Sequence, residues 1–145
     1  MISPIPIMAV NYTIVPRHVF PFEGLDAITR YAFGLIYDRY RLSRRAETQE
    51  RWKDEHGVYC VFDRQELADE LGISLPTLRR SMDAMVKAGV MVMRRNGPHA
   101  AWRYYPTASA QAAMGAMDEL ARQMGFDVAG YMESVARLDR ARQEQ

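Results

Sequence analysis

The sequence contains very little that could cross-link the chain or place it in a membrane. Its 145 residues include a single cysteine, Cys60, which excludes an internal disulfide and fits a reducing cytoplasm. The longest uncharged stretch at the start, Met1 to Pro16, has no basic segment and is interrupted by Pro4 and Pro6. It is neither a signal peptide nor a membrane span, because a span needs about 20 continuous apolar residues. We therefore expect a cytoplasmic protein without membrane contact.

Catalytic and metal-binding patterns are also missing. The three histidines are far apart and none has the H-x-x-x-H spacing of a metal site, so we expect no metal. There is no G-x-x-x-x-G-K-[ST] loop for ATP hydrolysis and no H-x-H motif for strand nicking. Cys60 lies in an apolar segment, which is more typical of a small core residue than of a nucleophile. The sequence thus predicts no enzyme activity and no cofactor.

Short-range patterns predict the secondary structure of the first half of the chain. The β-rich run Asn11 to Val15, stopped by Pro16, predicts an edge strand. Apolar residues at helical spacing predict a helix from Leu25 to about Leu42. The polar stretch Ser43 to Gly57 predicts a connecting loop with at most a turn of helix. The apolar run Val58 to Phe62 predicts a buried strand.

Two short helices joined by a turn follow in the sequence. Asp63 is a predicted N-cap, and the helix that it begins stops at Gly72, a residue suited to a helix C-terminus. Ser74 is the next predicted N-cap, and its helix ends at Gly89. This order and spacing predict a helix-turn-helix.

A β-hairpin and further helices are predicted after the helix-turn-helix. The hairpin consists of Val90 to Arg94 and Ala101 to Tyr105, joined by a tight turn at Asn96-Gly97. Helical periods then extend over Ala108 to Met124 and over Asp127 to Arg142.

These elements together define a fold class. The chain has 48% apolar and 26% charged residues, which is ordinary globular composition, and it is long enough for one domain with its own core. We predict an α+β, mostly helical fold, namely a winged helix-turn-helix with a C-terminal helical extension. The winged domain with an N-terminal arm is expected over residues 1–106, and the extension over 107–145.

Charge is strongly segregated, although the net charge is only +1. Residues 74–105 carry six basic side chains against Asp83 alone, for a net charge of +5, and residues 39–53 carry +4. The acidic segment between them, 54–73, carries −5. Seventeen of the nineteen basic residues are arginine, which favours phosphate and guanine binding, although a codon bias toward arginine explains the excess equally well. The pattern indicates a molecule with a cationic face.

The second helix of the helix-turn-helix is predicted to have one packed side and one polar side. Leu78, Met82, Met85 and Val86 cluster on the packed side at about 100° per residue. A helix packed at its back, with a basic front, suits the major groove, which is about 12 Å wide. The candidate DNA-contacting residues of this recognition helix are Ser74, Pro76, Thr77, Arg79, Arg80 and Lys87.

The hairpin and the first basic segment supply further candidates. The hairpin is the predicted wing, placed near the DNA backbone or minor groove, with Trp102 packed beneath it. Its candidate DNA-contacting residues are Arg94, Arg95, Asn96, His99 and Arg103. Arg41, Arg44 and Arg45 could hold phosphates beside the recognition helix, or could solvate a helix C-terminus, where cations are favoured.

Several landmarks follow one another as in a known family. They are Val15-Pro16, Tyr37-Asp38-Arg39, the segment Trp52-Lys53-Asp54-Glu55-His56-Gly57-Val58-Tyr59, Glu66-Leu67-Ala68, Leu71-Gly72, Thr77-Leu78 and Ala88-Gly89-Val90. With them, residues 16–105 resemble the N-terminal domain of the plasmid replication initiator protein A (RepA) family. The Trp52 to Tyr59 segment is the more specific part, because many regulators share a helix-turn-helix.

The resemblance implies a winged-helix protein that dimerises and binds repeated sites in a replication origin. It implies recognition-helix contacts by Thr77, Arg79 and Arg80, and wing contacts by Arg94 and Arg95. Members of the family usually continue into a second domain that recruits partners, whereas only two short helices are predicted here. We therefore expect an excised domain or a shorter relative.

Three functions fit these features. The chain is an origin-binding domain of a replication initiator, a winged-helix transcriptional repressor, or a protein-interaction module on the same fold. The first two predict double-stranded DNA as partner and a location at the nucleoid or a plasmid, and only the resemblance favours the first. We also expect a homodimer, because one recognition helix offers limited specificity, and replication proteins as possible partners.

Overall fold

In the computed structural model of the chain, residues 13–127, 130–133 and 136–137 are described. The elements are helix α1 (Ala27–Ser43), a 3₁₀ turn (Gln49–Trp52), strands β1 (Lys53–Asp54) and β2 (Gly57–Val58), helices α2 (Arg64–Leu71) and α3 (Leu75–Lys87), strands β3 (Met91–Arg94) and β4 (Arg103–Pro106), and helix α4 (Ala108–Gln123). Each pair of strands forms an antiparallel two-stranded sheet. The predicted fold class is confirmed as a mostly helical α+β, winged-helix-like domain.

Local capping sets the helix-turn-helix boundaries. The Asp63 carboxylate accepts a hydrogen bond from the Glu66 N–H at 3.0 Å, which begins α2. Gly72 ends α2 in the left-handed conformation, with φ of 70°, where a side chain would be strained. The Ser74 hydroxyl then accepts from the Thr77 N–H at 3.3 Å and begins α3. The two helices therefore lie where the sequence predicted them.

The core forms around α1, which packs against both helices of the helix-turn-helix. Phe33, Ile36 and Tyr37 of α1 are buried together with Leu78, Met82 and Met85 of α3. The buried hydroxyls of Thr29 and Ser81 join the same two helices by a hydrogen bond of 3.0 Å. Helix α4 adds Ala110 and Met114 to this core cluster. The extension predicted from residue 107 onward thus begins with a helix that shares the core, while the division at 106 stays a prediction.

The N-terminal segment differs from its prediction. Residues 13–15 do not form a strand, and residues 11 and 12 of the predicted strand lie outside the described part. The backbone of this segment instead crosses α1 at Gly34, where an added Cβ would lie 2.7 Å from the Ile14 carbonyl oxygen. The β-rich residues of this segment therefore pack against helix α1, and they do not form the edge strand of a sheet.

The wing also differs from its prediction. β3 pairs with β4 from Met91 opposite Pro106 to Arg94 opposite Arg103, so residues 95–102 form the connecting loop. The prediction of a tight turn at Asn96-Gly97 is therefore wrong. Pro98 has no N–H for a strand-to-strand hydrogen bond, and the two strands separate before they reach Pro98. The predicted strand Val58 to Phe62 is mostly absent too. Of its residues, Val58 is the second residue of β2, and Cys60 makes an isolated bridge to Tyr104 through two N–H to carbonyl bonds of 3.0 Å.

The remaining helix predictions are partly outside the described residues. The segment predicted as a loop, Ser43 to Gly57, contains the turn of helix that was allowed there, but it also contains β1 and the first residue of β2. This antiparallel hairpin was not predicted, because its strands are two residues long and too short for a periodic pattern. Of the helix predicted over Asp127 to Arg142, residues 130–133 and 136–137 are helical, and the others are not described.

A buried ionic network ties α1 to α4. The Arg41 guanidinium, with a side chain 4% exposed, binds both carboxylate oxygens of Asp118 at 2.7 and 3.3 Å. Its third nitrogen donates to Asp38 at 2.9 Å. Asp38 also accepts from the hydroxyls of Thr13 at 2.5 Å and Tyr131 at 2.6 Å. The network therefore joins the segment before α1 to residues far along the chain.

We predict opposite effects for two glycine substitutions in helices. Gly34→Ala should destabilise the fold by about 1–3 kcal/mol, because the new methyl group meets the Ile14 backbone. Gly115→Ala in α4 should stabilise it by about 0.5–1 kcal/mol, because nothing lies near its Cβ and alanine favours the helix. Thermal unfolding followed by circular dichroism measures both. Equal melting temperatures for the two variants would contradict the close approach at Gly34.

We also predict that the Arg41 network is worth far more than a surface ion pair. Asp118→Asn should cost about 3 kcal/mol, because it leaves a buried guanidinium short of one charge partner. Glu119→Gln, which removes the neighbouring exposed pair with Arg122, should cost less than about 1 kcal/mol. Urea unfolding at neutral pH measures the two losses. A loss for Asp118→Asn no larger than that of its neighbour would contradict the network.

Candidate nucleic-acid interface

Helix α3 presents a polar and cationic face to solvent. Its other face, with Leu78, Ser81, Met82 and Met85, is buried against α1 and the rest of the core. Each of the predicted recognition-helix residues is exposed or half-buried, namely Ser74, Pro76, Thr77, Arg79, Arg80 and Lys87. Val86 departs from its prediction, because it is 45% exposed and lies on the open side of the helix.

In the first turns of α3, Arg80 is hydrogen-bonded and the preceding arginine, Arg79, has no partner among the described residues. The Ser74 hydroxyl and the Arg80 guanidinium both donate to the Thr77 hydroxyl oxygen, each at 3.0 Å. Arg80 is thereby held along the helix axis toward its N-terminus. Arg79 and Lys87 make no hydrogen bond or ion pair with any described residue. Their charges are therefore available to an external ligand.

Two wing arginines rest on aromatic rings and have no carboxylate partner among the described residues. The Arg95 guanidinium carbon lies 4.6 Å from the centre of the Trp102 ring, and that of Arg94 lies 6.0 Å from the Tyr105 ring. Asn96 and His99 of the loop are exposed. Stacking restrains the arginine side chains while their N–H groups stay free to donate.

Arg103, the fifth wing candidate, is bound inside the domain. Its guanidinium donates to Asp54 at 2.6 Å, and the Tyr105 hydroxyl donates to the same oxygen at 2.5 Å. The His56 N–H donates to the other Asp54 oxygen at 2.8 Å. Arg103 also lies 4.6 Å above the Tyr59 ring. The ion pair between Arg103 and the Asp54 carboxylate therefore joins the wing to the β1–β2 hairpin, and the Arg103 charge is already neutralised within the domain.

The pKa values in this clamp follow from its contacts. Burial raises the pKa of the Asp54 carboxyl, but the hydrogen bonds from Tyr105, His56 and Arg103 outweigh burial and hold it below its usual range. Burial, with the Asp54 charge beside it, raises the pKa of Tyr105 to about 12. At neutral pH the clamp thus consists of a carboxylate, a guanidinium and a neutral phenol.

The three candidate arginines of the first basic segment, residues 39–53, contact other groups of the domain. Arg41 is buried in the network with Asp38 and Asp118, which corrects the expectation of a phosphate contact, because no face of its guanidinium is open. Arg44 donates to the Tyr37 hydroxyl at 3.1 Å and lies over that ring. Arg45 pairs with Glu47 at 3.3 Å and with Glu133 at 3.7 Å. Arg44 and Arg45 are half-buried, so neither is as open as the arginines of α3.

Sequence reasoning missed Arg64, the first residue of α2. Its Nε donates to the Tyr104 hydroxyl at 2.9 Å, and its guanidinium carbon lies 5.5 Å from the Trp102 ring that also contacts Arg95. Arg64 is the only arginine or lysine in the segment 54–73, whose net charge is negative, so the charge pattern of the sequence did not indicate it. The fold brings it beside the wing.

The described residues contain neither a membrane-spanning helix nor a metal-binding cluster. No helix among them is long and apolar enough to cross a membrane. No group of three or more histidine, cysteine, aspartate or glutamate side chains there is placed to hold a metal ion. Cys60 is 1% exposed, and burial raises the pKa of its thiol to about 12.

Solved structures share this fold. The chain superposes on the N-terminal domain of a DNA-binding protein with a TM-score of 0.56 and 16% identity, over 81% of this chain and 94% of that one. A Rep–DNA complex gives 0.56 and 16%, over 81% and 95%. An MDR initiator gives 0.54 and 13%, over 83% and 97%. At identities this low, the likeness shows a shared fold and no more. No protein-family model matches the chain, nor does any curated protein sequence.

The Asp54 clamp generates a pH-dependent prediction. Because the folded state holds the Asp54 pKa below its unfolded value, the clamp stabilises the fold above about pH 4 and loses this contribution as pH falls through the folded pKa. Asp54→Asn should therefore destabilise the protein more at about pH 7 than at about pH 3. Urea midpoints at the two pH values measure this, with the exposed Glu55→Gln as control. A loss that is independent of pH would show that the Asp54 charge is not what fastens the wing.

Proposed function

We propose that this chain is a sequence-specific double-stranded DNA-binding domain of a replication initiator, with α3 in the major groove and the wing against the backbone. The observation that carries this proposal is the two-sided character of α3. Three of its side chains are buried to 1% exposure or less, namely Leu78, Met82 and Met85, while Arg79 and Lys87 on the other side are unpaired among the described residues. A helix held by its back can insert its front into a groove.

The polar groups of α3 match what a duplex offers. Thr77 and Ser74 stand at the N-terminus, where side chains of a recognition helix meet bases and where phosphates are favoured by free backbone N–H groups. Arg79 is long enough to donate two hydrogen bonds to a guanine edge. Arg94 and Arg95, restrained on aromatic rings, supply phosphate contacts from the wing. Base contacts then give specificity, and phosphate contacts give affinity.

The assignment to replication initiation has two supports. The chain shares its fold with a Rep–DNA complex and an MDR initiator over nearly their full lengths. Its segment from Trp52 to Tyr59 resembles the RepA family, and in the fold this segment supplies Asp54, which fastens the wing. A transcriptional repressor would use the same residues, so the identity of the bound site separates the two roles.

We propose that the domain binds DNA as a homodimer. A homodimer would place two α3 helices on neighbouring half-sites, about 10 base pairs or a multiple apart. Exposed apolar side chains offer material for its interface, among them Phe20, Leu120 and Met124. Replication proteins are proposed as further partners, at a plasmid or nucleoid in the cytoplasm. We propose no enzymatic role.

A salt titration of duplex binding tests the proposal. The logarithm of the association constant should fall linearly with the logarithm of salt concentration, and Arg79→Ala/Arg80→Ala should weaken binding and flatten the slope by about one unit per lost phosphate contact. If instead the arginines contact guanine, affinity falls by about 1–3 kcal/mol per contact with less change in slope.

The matched control is Arg122→Ala, which removes an exposed arginine of α4 outside the α3 and wing surfaces. It should leave both affinity and slope unchanged. Absence of duplex binding at low salt by the unaltered protein would overturn the proposal and favour a protein-interaction module. Selection of bound sequences from a random pool then identifies the site.

A further inference from the structure

An open, shallow cleft of about 380 Å³ lies between the wing and the β1–β2 hairpin. We name it the wing pocket, and its lining includes His56, Arg94, Arg95, Asn96, Trp102 and Tyr105. Pockets that bind small organic groups begin at roughly this volume. The wing pocket is separate from the exposed face of α3, since no α3 residue lines it.

The electrostatics of the wing pocket favour an anion. Asp54 also lines it, but Arg103 and the Tyr105 hydroxyl occupy one of its carboxylate oxygens and the His56 N–H occupies the other. Arg94 and Arg95 make no ion pair with any residue in the described part of the chain. Two uncompensated guanidinium groups thus line one concave surface, and guanidinium binds phosphate through paired hydrogen bonds.

Both arginines are already held in place. Arg94, the last residue of β3, lies 6.0 Å from the ring of Tyr105 in β4. Arg95 and Trp102 lie one residue outside the two strands, and the Arg95 guanidinium rests on the Trp102 ring at 4.6 Å. The Asp54 clamp in turn fixes Tyr105. Most of the entropy cost of ordering these side chains is therefore contributed when the protein folds, and little of it is added when a ligand binds.

The rest of the lining is suited to a planar heterocycle. His56, Trp102 and Tyr105 contribute aromatic rings to this lining, with His56 and Tyr105 in edge contact at 6.2 Å. Tyr105 is only 7% exposed and Arg95 lies over the Trp102 ring, so a base would stack on the exposed His56 and on the Arg95 guanidinium plane. The exposed Asn96 carries an amide that can donate to and accept from the edge of a base. Phosphate-binding cations beside stacking rings are the combination that recognises nucleotides.

This chemistry discriminates between paired and unpaired bases. In a duplex each base is stacked on its neighbours and paired, so its faces are not available to an aromatic wall. Proteins stack on bases where the strand is single and the base can turn outward. We propose that the wing pocket binds an unpaired nucleotide of single-stranded DNA, as a second nucleic-acid site that needs no residue of α3 and shares Arg94 and Arg95 with the proposed duplex contact.

The test uses the intrinsic fluorescence of Trp102. Trp52→Phe removes the other tryptophan, which packs against Tyr59 outside the pocket lining. A single strand of about 15 thymidine nucleotides should quench Trp102 emission and bind in an anisotropy titration. Arg94→Ala/Arg95→Ala should weaken this binding at least about tenfold, because both phosphate donors are lost. Both positions are exposed, and circular dichroism verifies that the variant is folded.

Two comparisons separate the pocket from other sites. Arg79→Ala should leave single-strand affinity unchanged while it weakens duplex binding, and Arg122→Ala should change neither. Thymidine monophosphate alone distinguishes the source of the ligand. If thymidine monophosphate saturates the change in Trp102 emission at the same concentration as the single strand, the site binds a free nucleotide. If only the single strand saturates it, the site binds DNA.

Three results would overturn the proposal. The first is a Trp102 emission that does not change at saturating single strand. The second is unchanged single-strand affinity in Arg94→Ala/Arg95→Ala. The third is a loss in Arg79→Ala as large as the loss in the wing variant, which would place the strand on α3. None of these depends on whether the protein binds duplex DNA, so the two proposals fail separately.

Discussion

The burial of one face of α3 against α1 is the constraint on which the rest of this structure depends. Leu78, Met82 and Met85 of α3 are each 1% exposed or less, and the Thr29–Ser81 hydrogen bond fixes the rotation of α3 about its axis. A helix turns by about 100° per residue, so fixing the buried face also fixes which side chains point to solvent. The DNA-binding proposal is therefore a consequence of core packing.

Five arginines of this protein show two contrasting environments. Arg41 and Arg103 are paired with carboxylates, and they join α1 to α4 and the wing to the β1–β2 hairpin. Arg79, Arg94 and Arg95 have no such partner among the described residues. A basic segment in the sequence contains both groups, because a charge count records how many arginines there are and not which carboxylates the fold brings to them. Arginines of the second kind can interact strongly with an external phosphate, whereas Arg41 and Arg103 are already neutralised.

Local signals in the sequence predicted the helix-turn-helix, because its boundaries depend on contacts within three residues, such as Asp63 with Glu66. The exposed face of α3 followed from spacing alone, apart from Val86. The predictions that failed depend on distant partners. Arg41 is neutralised by Asp118, 77 residues away in the chain, and the segment before α1 packs on Gly34 in place of a neighbouring strand. The wing loop is longer than predicted because strand pairing stops at Arg94 opposite Arg103.

The central claim is that DNA contacts the open face of α3 and the wing, and backbone amide NMR of the labelled protein tests it most directly. A duplex selected from random sequence would be titrated into the protein and the shift of each amide followed. We expect the largest shifts in residues 74–87 and 94–102, with little change along α4. Shifts concentrated in α4, or near the Arg41 network while α3 is unaffected, would contradict it.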